Sequence, residues 1–191
     1  MKKTTIIQCM LIMLALSLTE FASAQSNKGL VTPVKVGTAT LNLGIGVGAN
    51  YKGDNYGTAF GTKIAAEWAL WQAGPGVVSI GPEIGGSFSS GYNGYYGYSN
   101  YGATTWVIAG RAAWHYGWEV PGLDTYAGFS AGVGFHSYHY DYNGNQKYNS
   151  TIPVFGGFFG ASYYISPTFG FNAEAGFDIT LFQVGIVLII Q

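Results

Sequence analysis

From residue 39 the chain runs Ala-Thr-Leu-Asn-Leu-Gly-Ile-Gly-Val-Gly, with Ala39, Leu41, Leu43, Ile45 and Val47 on one parity and Thr40, Asn42, Gly44, Gly46 and Gly48 on the other. Period two over ten residues marks a strand with one apolar face and one small or polar face. Seven further segments follow the same rule, at about 58–70, 77–89, 103–116, 125–137, 152–164, 169–178 and 181–190. Ten residues rising ~3.3 Å each at ~45° tilt cover about 23 Å, close to the apolar band of a membrane barrel.

The connections sort by length. Residues 72–76 and 166–168 predict tight turns, whereas 90–102 and 138–150, rich in Tyr, Gly, Asn and Ser, predict long loops after the third and fifth strands. Short turns at one end and long loops at the other fit a barrel inserted from the periplasm. Two links fit less well: 117–124 is long for an inner turn, and the link near Ile179 and Thr180 is short for an outer loop. An even strand count returns the last strand to the first, and the closure this allows is required in lipid, where each unpaired backbone group costs several kcal/mol.

The placement of charge tests this layout. Lys63, Glu67, Glu83, Arg111, His136, Glu174 and Asp178 all share the parity of the glycines and serines, and none falls with the bulky apolar residues. A basic side chain facing lipid near the midplane costs ~2–4 kcal/mol, so the segregation predicts a lipid-facing exterior and a polar interior. A soluble ligand-binding barrel would have the opposite polarity. Outward aromatics collect at the strand ends: Phe60, Phe88, Trp106, Phe135, Phe155, Phe177 and Phe182 at the outer ends, and Trp68, Trp114, Tyr116, Tyr163 and Phe169 at the inner ends. Two such girdles belong at the two membrane interfaces.

On these strands the chain resembles the small OmpA/OmpX-type barrels and is similar in style to the outer-membrane β-barrel domain proteins of Bacteroidetes, over about residues 37–190. The resemblance rests on strand architecture and implies an integral outer-membrane protein of a Gram-negative bacterium. The fold class expected is therefore all-β, an eight-stranded antiparallel up-and-down transmembrane β-barrel over residues 37–191. Its expected surroundings are outer-membrane lipid and lipopolysaccharide, with the barrel-assembly machinery as a partner during biogenesis and a monomer as the oligomeric state.

Composition adds three points. Met1-Lys2-Lys3, an apolar run from Ile6 to Leu18 and Ala22-Ser23-Ala24 predict a secretory signal cleaved after residue 24, followed by a periplasmic lead over 25–36. Its apolar core is too short to span a bilayer as a helix, which takes about 20 residues. Removing 1–24 leaves six basic and eight acidic residues, a net charge of −2 that gives no reason to expect a nucleic-acid partner. The one cysteine, Cys9, lies in that leader, so neither a disulfide nor a cysteine metal site is expected. A charged fraction of 9% is far below the roughly 25% of soluble domains and would leave a water-facing surface hard to solvate.

The candidate chemistry is sparse. In a barrel of eight strands the lumen is only wide enough for side chains to fill it. Lys63, Glu67, Glu83, Arg111 and Glu174 are then expected to form a buried polar network that acts as a structural plug or, alternatively, as a gate in a narrow pore for small solutes. Lipid acyl chemistry would need a Ser with a base in hydrogen-bond reach and an orienting acid. His136 and Ser137 face opposite ways, His115 sits near the inner end, and His139 with Asp141 is a loose pair, so no catalytic residue is expected. Gly44 to Gly48 lies within a strand rather than before a helix, so it is no phosphate loop. Asp141-Tyr142-Asn143-Gly144-Asn145 lacks the closing Glu of a calcium loop, and no metal or cofactor is expected. The contact candidates are the loop tyrosines Tyr95, Tyr96, Tyr98, Tyr140 and Tyr142, set among Gly, Asn and Ser as adaptable contact surfaces are, for an extracellular glycan or protein ligand.

Overall fold

Alternation becomes eight strands: β1 Ala39–Ala49, β2 Ala59–Ala73, β3 Gly76–Asn93, β4 Ser99–Gly117, β5 Leu123–Tyr140, β6 Gln146–Tyr164, β7 Phe169–Gly176 and β8 Thr180–Ile189. The computed structural model describes residues 32–49, 59–93, 99–140 and 146–190. Each strand pairs antiparallel with the next, and β1 returns to β8 from Thr40↔Ile189 to Ala49↔Thr180, so the sheet is a closed barrel. The expected signal segment, Tyr95, Tyr96, Tyr98, Tyr142 and the Asp141 run lie outside the described residues, as does the side chain of Tyr140.

The strands are uneven. Those from β3 to β6 have 18 or 19 residues, whereas β7, β8 and β1 have 8, 10 and 11. Residues 90–102 and 138–150, expected as long loops, are mostly strand: β3 and β4 stay paired to Asn93↔Ser99, and β5 and β6 to Tyr140↔Gln146. The Gly, Asn and Ser in these stretches read as loop signals, but the tyrosines between them favour a pleated ribbon. A 19-residue strand at ~45° tilt rises about 44 Å, roughly 20 Å more than an apolar band needs. The loop end of the barrel therefore carries a four-stranded projection built from β3 to β6.

At the opposite end the turns are tight. Only Gly74 and Pro75 separate β2 from β3, and Gly74 has φ +60°, a backbone shape that glycine adopts at no steric cost. The long inner turn shrinks to 118–122, and β7 stops at Gly176, two residues before its expected end, leaving 177–179 as the short link to β8.

The wall is apolar outside. Ile45, Phe60, Ile64, Trp106, Ile108, Phe129, Phe155, Phe159 and Phe171 are all exposed, while Lys63, Glu67, Glu83, Arg111, Glu174 and Asp178 are buried in the lumen. This is the polarity of a transmembrane barrel. Both aromatic girdles form, with Phe60 stacked on Phe88 at the loop end and Trp114 on Tyr116 at the turn end.

The lumen is layered. On the loop side an apolar cluster of Val107, Ala109, Val154 and Ile179, with Ile152 against it, lies above the charged residues. At the turn end Ala69, Val77, Tyr164 and Val187 form a second cluster, and Val34 of the N-terminal lead is inserted into it, only 3% exposed. The lead is fastened there by bonds from the Gly37 amide to the Ala69 carbonyl, 2.8 Å, and from the Ala69 amide to the Thr38 carbonyl, 2.9 Å.

Candidate functional site

The ionic layer grows from the inward parity of four strands and one link. β4 supplies Arg111, β2 supplies Lys63 and Glu67, β3 supplies Glu83, β7 supplies Glu174, and the 177–179 link supplies Asp178. All five residues expected in an interior network meet here. Arg111 is the hub: its Nε lies 3.0 Å from Glu67 Oε1, Nη1 2.9 Å from Glu83 Oε2 and Nη2 3.0 Å from Glu174 Oε2. Lys63 bonds Glu174 and Asp178 and stands 3.7 Å from Glu83. The Phe158 ring lies beneath both cations, 3.9 Å from the Arg111 guanidinium carbon and 5.5 Å from the Lys63 ammonium.

Small interior residues make room for these long side chains. A Cβ at Gly156 would stand 2.4 Å from Asp178 Cβ, and one at Gly160 would stand 2.6 Å from the Tyr126 ring. Large and small residues on facing strands thus interdigitate, which is how a lumen this narrow is filled.

A second group sits between the ionic layer and the turn-end lid, and only part of it was expected. His115 Nδ1 is 2.8 Å from Asp124 Oδ2, and His115 Nε2 is 3.0 Å from Ser79 Oγ and 3.4 Å from Glu67 Oε2. Sequence parity places His115 and Ser79 inward, but Asp124 reads as the end of a turn until β5 is seen to begin at Leu123. Ser79, His115 and Asp124 stand in the order of an acyl-transfer triad, with Ser79 also bonded to Glu67. Ser79 donates to Glu67, and its contact with His115 Nε2 is then one in which the ring N–H can donate. Ser79 is 1% exposed beneath the lid of Val34 and Tyr164. Its own strand is paired on both sides, with Ala69 of β2 and Ala113 of β4 as its partners in register.

Among the described residues the interior holds Lys63, Arg111 and His115 beside five buried carboxyl groups, Glu67, Glu83, Asp124, Glu174 and Asp178. Each unpaired charge taken from water into protein costs several kcal/mol unless something balances it.

Outside the lumen, the projection bears one polar hollow of about 580 Å³ on β4, β5 and β6, whose lining includes Trp106, Phe135, Ser137, Asn149 and Thr151. It lies at the outer aromatic girdle, where a ring face and hydroxyl or amide groups come together.

No family model matches the chain, and no curated protein matches it. Among solved structures it is similar to Ail, the attachment invasion locus protein of Yersinia pestis. One Ail structure is 11% identical, with 80% of this chain and 93% of that chain covered and a TM-score of 0.43. Another, of Ail in complex with the heparin analogue sucrose octasulfate, is 12% identical with the same coverage and a TM-score of 0.40. The closed antiparallel form with eight strands is the one that the resemblance to small OmpA/OmpX-type barrels implied.

Proposed function

We propose that this chain is an integral outer-membrane barrel with a sealed lumen, which acts through the surface it raises outside the cell and not through transport or catalysis. The observation that carries the reading is the coexistence of an apolar wall with an ionic core closed by an apolar cluster on each side. Ions held this tightly are a plug: solute passing through would have to displace Arg111 from three carboxylates and open both lids. In this reading the turn end faces the periplasm and the β3 to β6 projection faces the medium.

The contact role rests on that projection. Its strands lead in sequence into the tyrosine-rich stretches, and its flank carries the hollow beside Trp106, a place where a sugar ring could lie on the indole and bond Ser137, Asn149 and Thr151. An extracellular glycan is the partner this chemistry favours. The test is a glycan array probed with the full chain in detergent, beside Trp106→Ala and a chain lacking residues 92–101. Selective binding lost in either variant supports the contact role, and equal binding by all three ends it. Single-channel recording should show no conductance above the bare bilayer, and a fluorophosphonate should leave Ser79 unlabelled. A steady open level would favour the narrow pore instead, and labelling at Ser79 would reinstate an acyl enzyme.

A further inference from the structure

On the outer wall of β4, β5 and β6 the chemistry changes row by row. Register sets Ile108 beside Val133 and Val133 beside Pro153, then Trp106 beside Phe135 and Phe135 beside Thr151, then Thr104 beside Ser137 and Ser137 beside Asn149. Residues opposite one another in a ladder share a face, so these are three stacked rows, one aliphatic, one mainly aromatic and one polar, spaced about 7 Å apart along the strands. Ile108, Val133, Trp106 and Phe135 are exposed on that face.

The hollow of about 580 Å³ lies across the upper two rows, with Thr104, Trp106, Phe135, Ser137, Asn149 and Thr151 in its lining. Its height is the height at which the closed wall gives out. β7 follows β6 only as far as Phe158↔Gly176, and from Thr151 back to Tyr148 every residue of β6 is exposed, whichever face it lies on. Trp106 and Phe135 belong to the outer aromatic girdle, so the aliphatic row below them stands among lipid chains and the polar row above them at the level of the headgroups. Beside the indole face the lining offers hydroxyls and an amide, which both donate and accept as sugar hydroxyls do. Among the described residues that line it there is no Lys, Arg, Asp or Glu, and the ring of His136 is bonded to Thr105 Oγ1 at 2.8 Å. A sulfate, phosphate or carboxylate drawn into the hollow would lose water and meet no cation in that lining.

We infer that the hollow seats the uncharged sugar headgroup of a glycolipid of the outer leaflet, with the acyl chains running down over the row of Ile108, Val133 and Pro153. The inference rests on the glycan reading proposed above and narrows it twice, from any extracellular glycan to a neutral one and from a free ligand to one anchored in the same membrane. Lack of charge in the lining carries the first step. Position carries the second: a sugar lying on Trp106 stands directly over the aliphatic row, where a ligand gains from contact only if it brings its own hydrocarbon. A lipid anchor also holds the sugar at high local concentration in the plane of the membrane, so a shallow site with few hydrogen bonds is enough to retain it.

The experiment is native mass spectrometry of the full chain released from detergent micelles doped with one lipid at a time, all with the same acyl chains. The three lipids are a dihexosyl diacylglycerol, a diacylglycerol whose sugar is sulfonated, and phosphatidylcholine. The neutral glycolipid should be retained about tenfold better than either of the others. Trp106→Ala should cut its retention about tenfold, as truncating a central tryptophan does. Asn149→Leu with Thr151→Val keeps the wall apolar and should erase the preference, while Thr151→Lys should turn it toward the sulfonated lipid. Asn149 and Thr151 are exposed on the outer face, so these changes leave the lumen and its ion pairs untouched. Equal retention of the three lipids by the unaltered chain overturns the inference. So does its preference for the sulfonated lipid, or a neutral preference that Asn149→Leu with Thr151→Val leaves intact. A free dihexoside that displaces the glycolipid at equal concentration overturns the lipid anchor. The broader contact role is judged apart, on the glycan array: selective binding there without any lipid preference sinks this inference alone, and no selective binding in either assay sinks both.

Discussion

Along β4, neighbouring residues live in different solvents. Ala109, Arg111, Ala113 and His115 are buried in the lumen, while Ile108, Gly110 and Trp114 are exposed on the outer wall. In a soluble domain the apolar column would form the core and the charged column would be solvated. Here the core is held by ion pairs and shape, and the apolar column is left for lipid to cover. The difference teaches that the two faces answer to different forces: deleting a partner inside strands a charge, whereas outside only a polar intruder is penalised.

The sharpest way to break the comparison is to remove the hub. Arg111→Ala leaves Glu67, Glu83 and Glu174 without the cation that joins them, and the expected loss is about 3–5 kcal/mol of stability in urea unfolding from micelles. Next comes a charge on the other face of the same strand. A Cβ at Gly110 meets nothing within 4 Å, so Gly110→Lys carries no steric penalty and isolates lipid exposure, at about 2–4 kcal/mol near the midplane. Gly110→Leu is the control and should leave stability equal or raised. Ser79→Ala takes a donor from the buried Glu67 carboxylate and should cost about 1–3 kcal/mol in the same assay. Smallest is Phe158→Leu, which keeps an apolar filler but removes the ring beneath Arg111, with an expected loss of about 1 kcal/mol. If Gly110→Lys proved harmless while Arg111→Ala proved costly, the wall would be meeting water.

Much of this was legible in the sequence because the period of a strand is two and lipid tolerates few errors in it. Lys63, Glu67, Glu83, Arg111 and Glu174 could be assigned to the lumen by parity alone, and the structure brings all five into one network. What parity does not give is reach. That Ser79 on β3 and Asp124 on β5 meet at His115 on β4 depends on ladder register, which offsets neighbouring strands by amounts that alternation leaves open. Strand ends at the loop side differ from the expected ones for another reason. Glycine and asparagine signal turns where a chain is free to turn, but beside a paired neighbour they are carried along in the ladder, as at Gly91↔Tyr101. The role of Val34 was also hidden, since one apolar residue in a short lead reads as a spacer until the mouth it stops is seen.

The most direct test of the account is the solvent seen by successive residues of β4. Single cysteines placed in turn from 106 to 115, spin-labelled in the folded full chain in lipid, can be read for access to oxygen and to a water-soluble nickel chelate. The account predicts high oxygen access at 106, 108, 110, 112 and 114, and low access to both reagents at the odd positions between them, where the lumen is sealed. Nickel access at the odd positions would mean a water-filled lumen, and oxygen access at Arg111 would put the charged face in lipid and contradict the account outright.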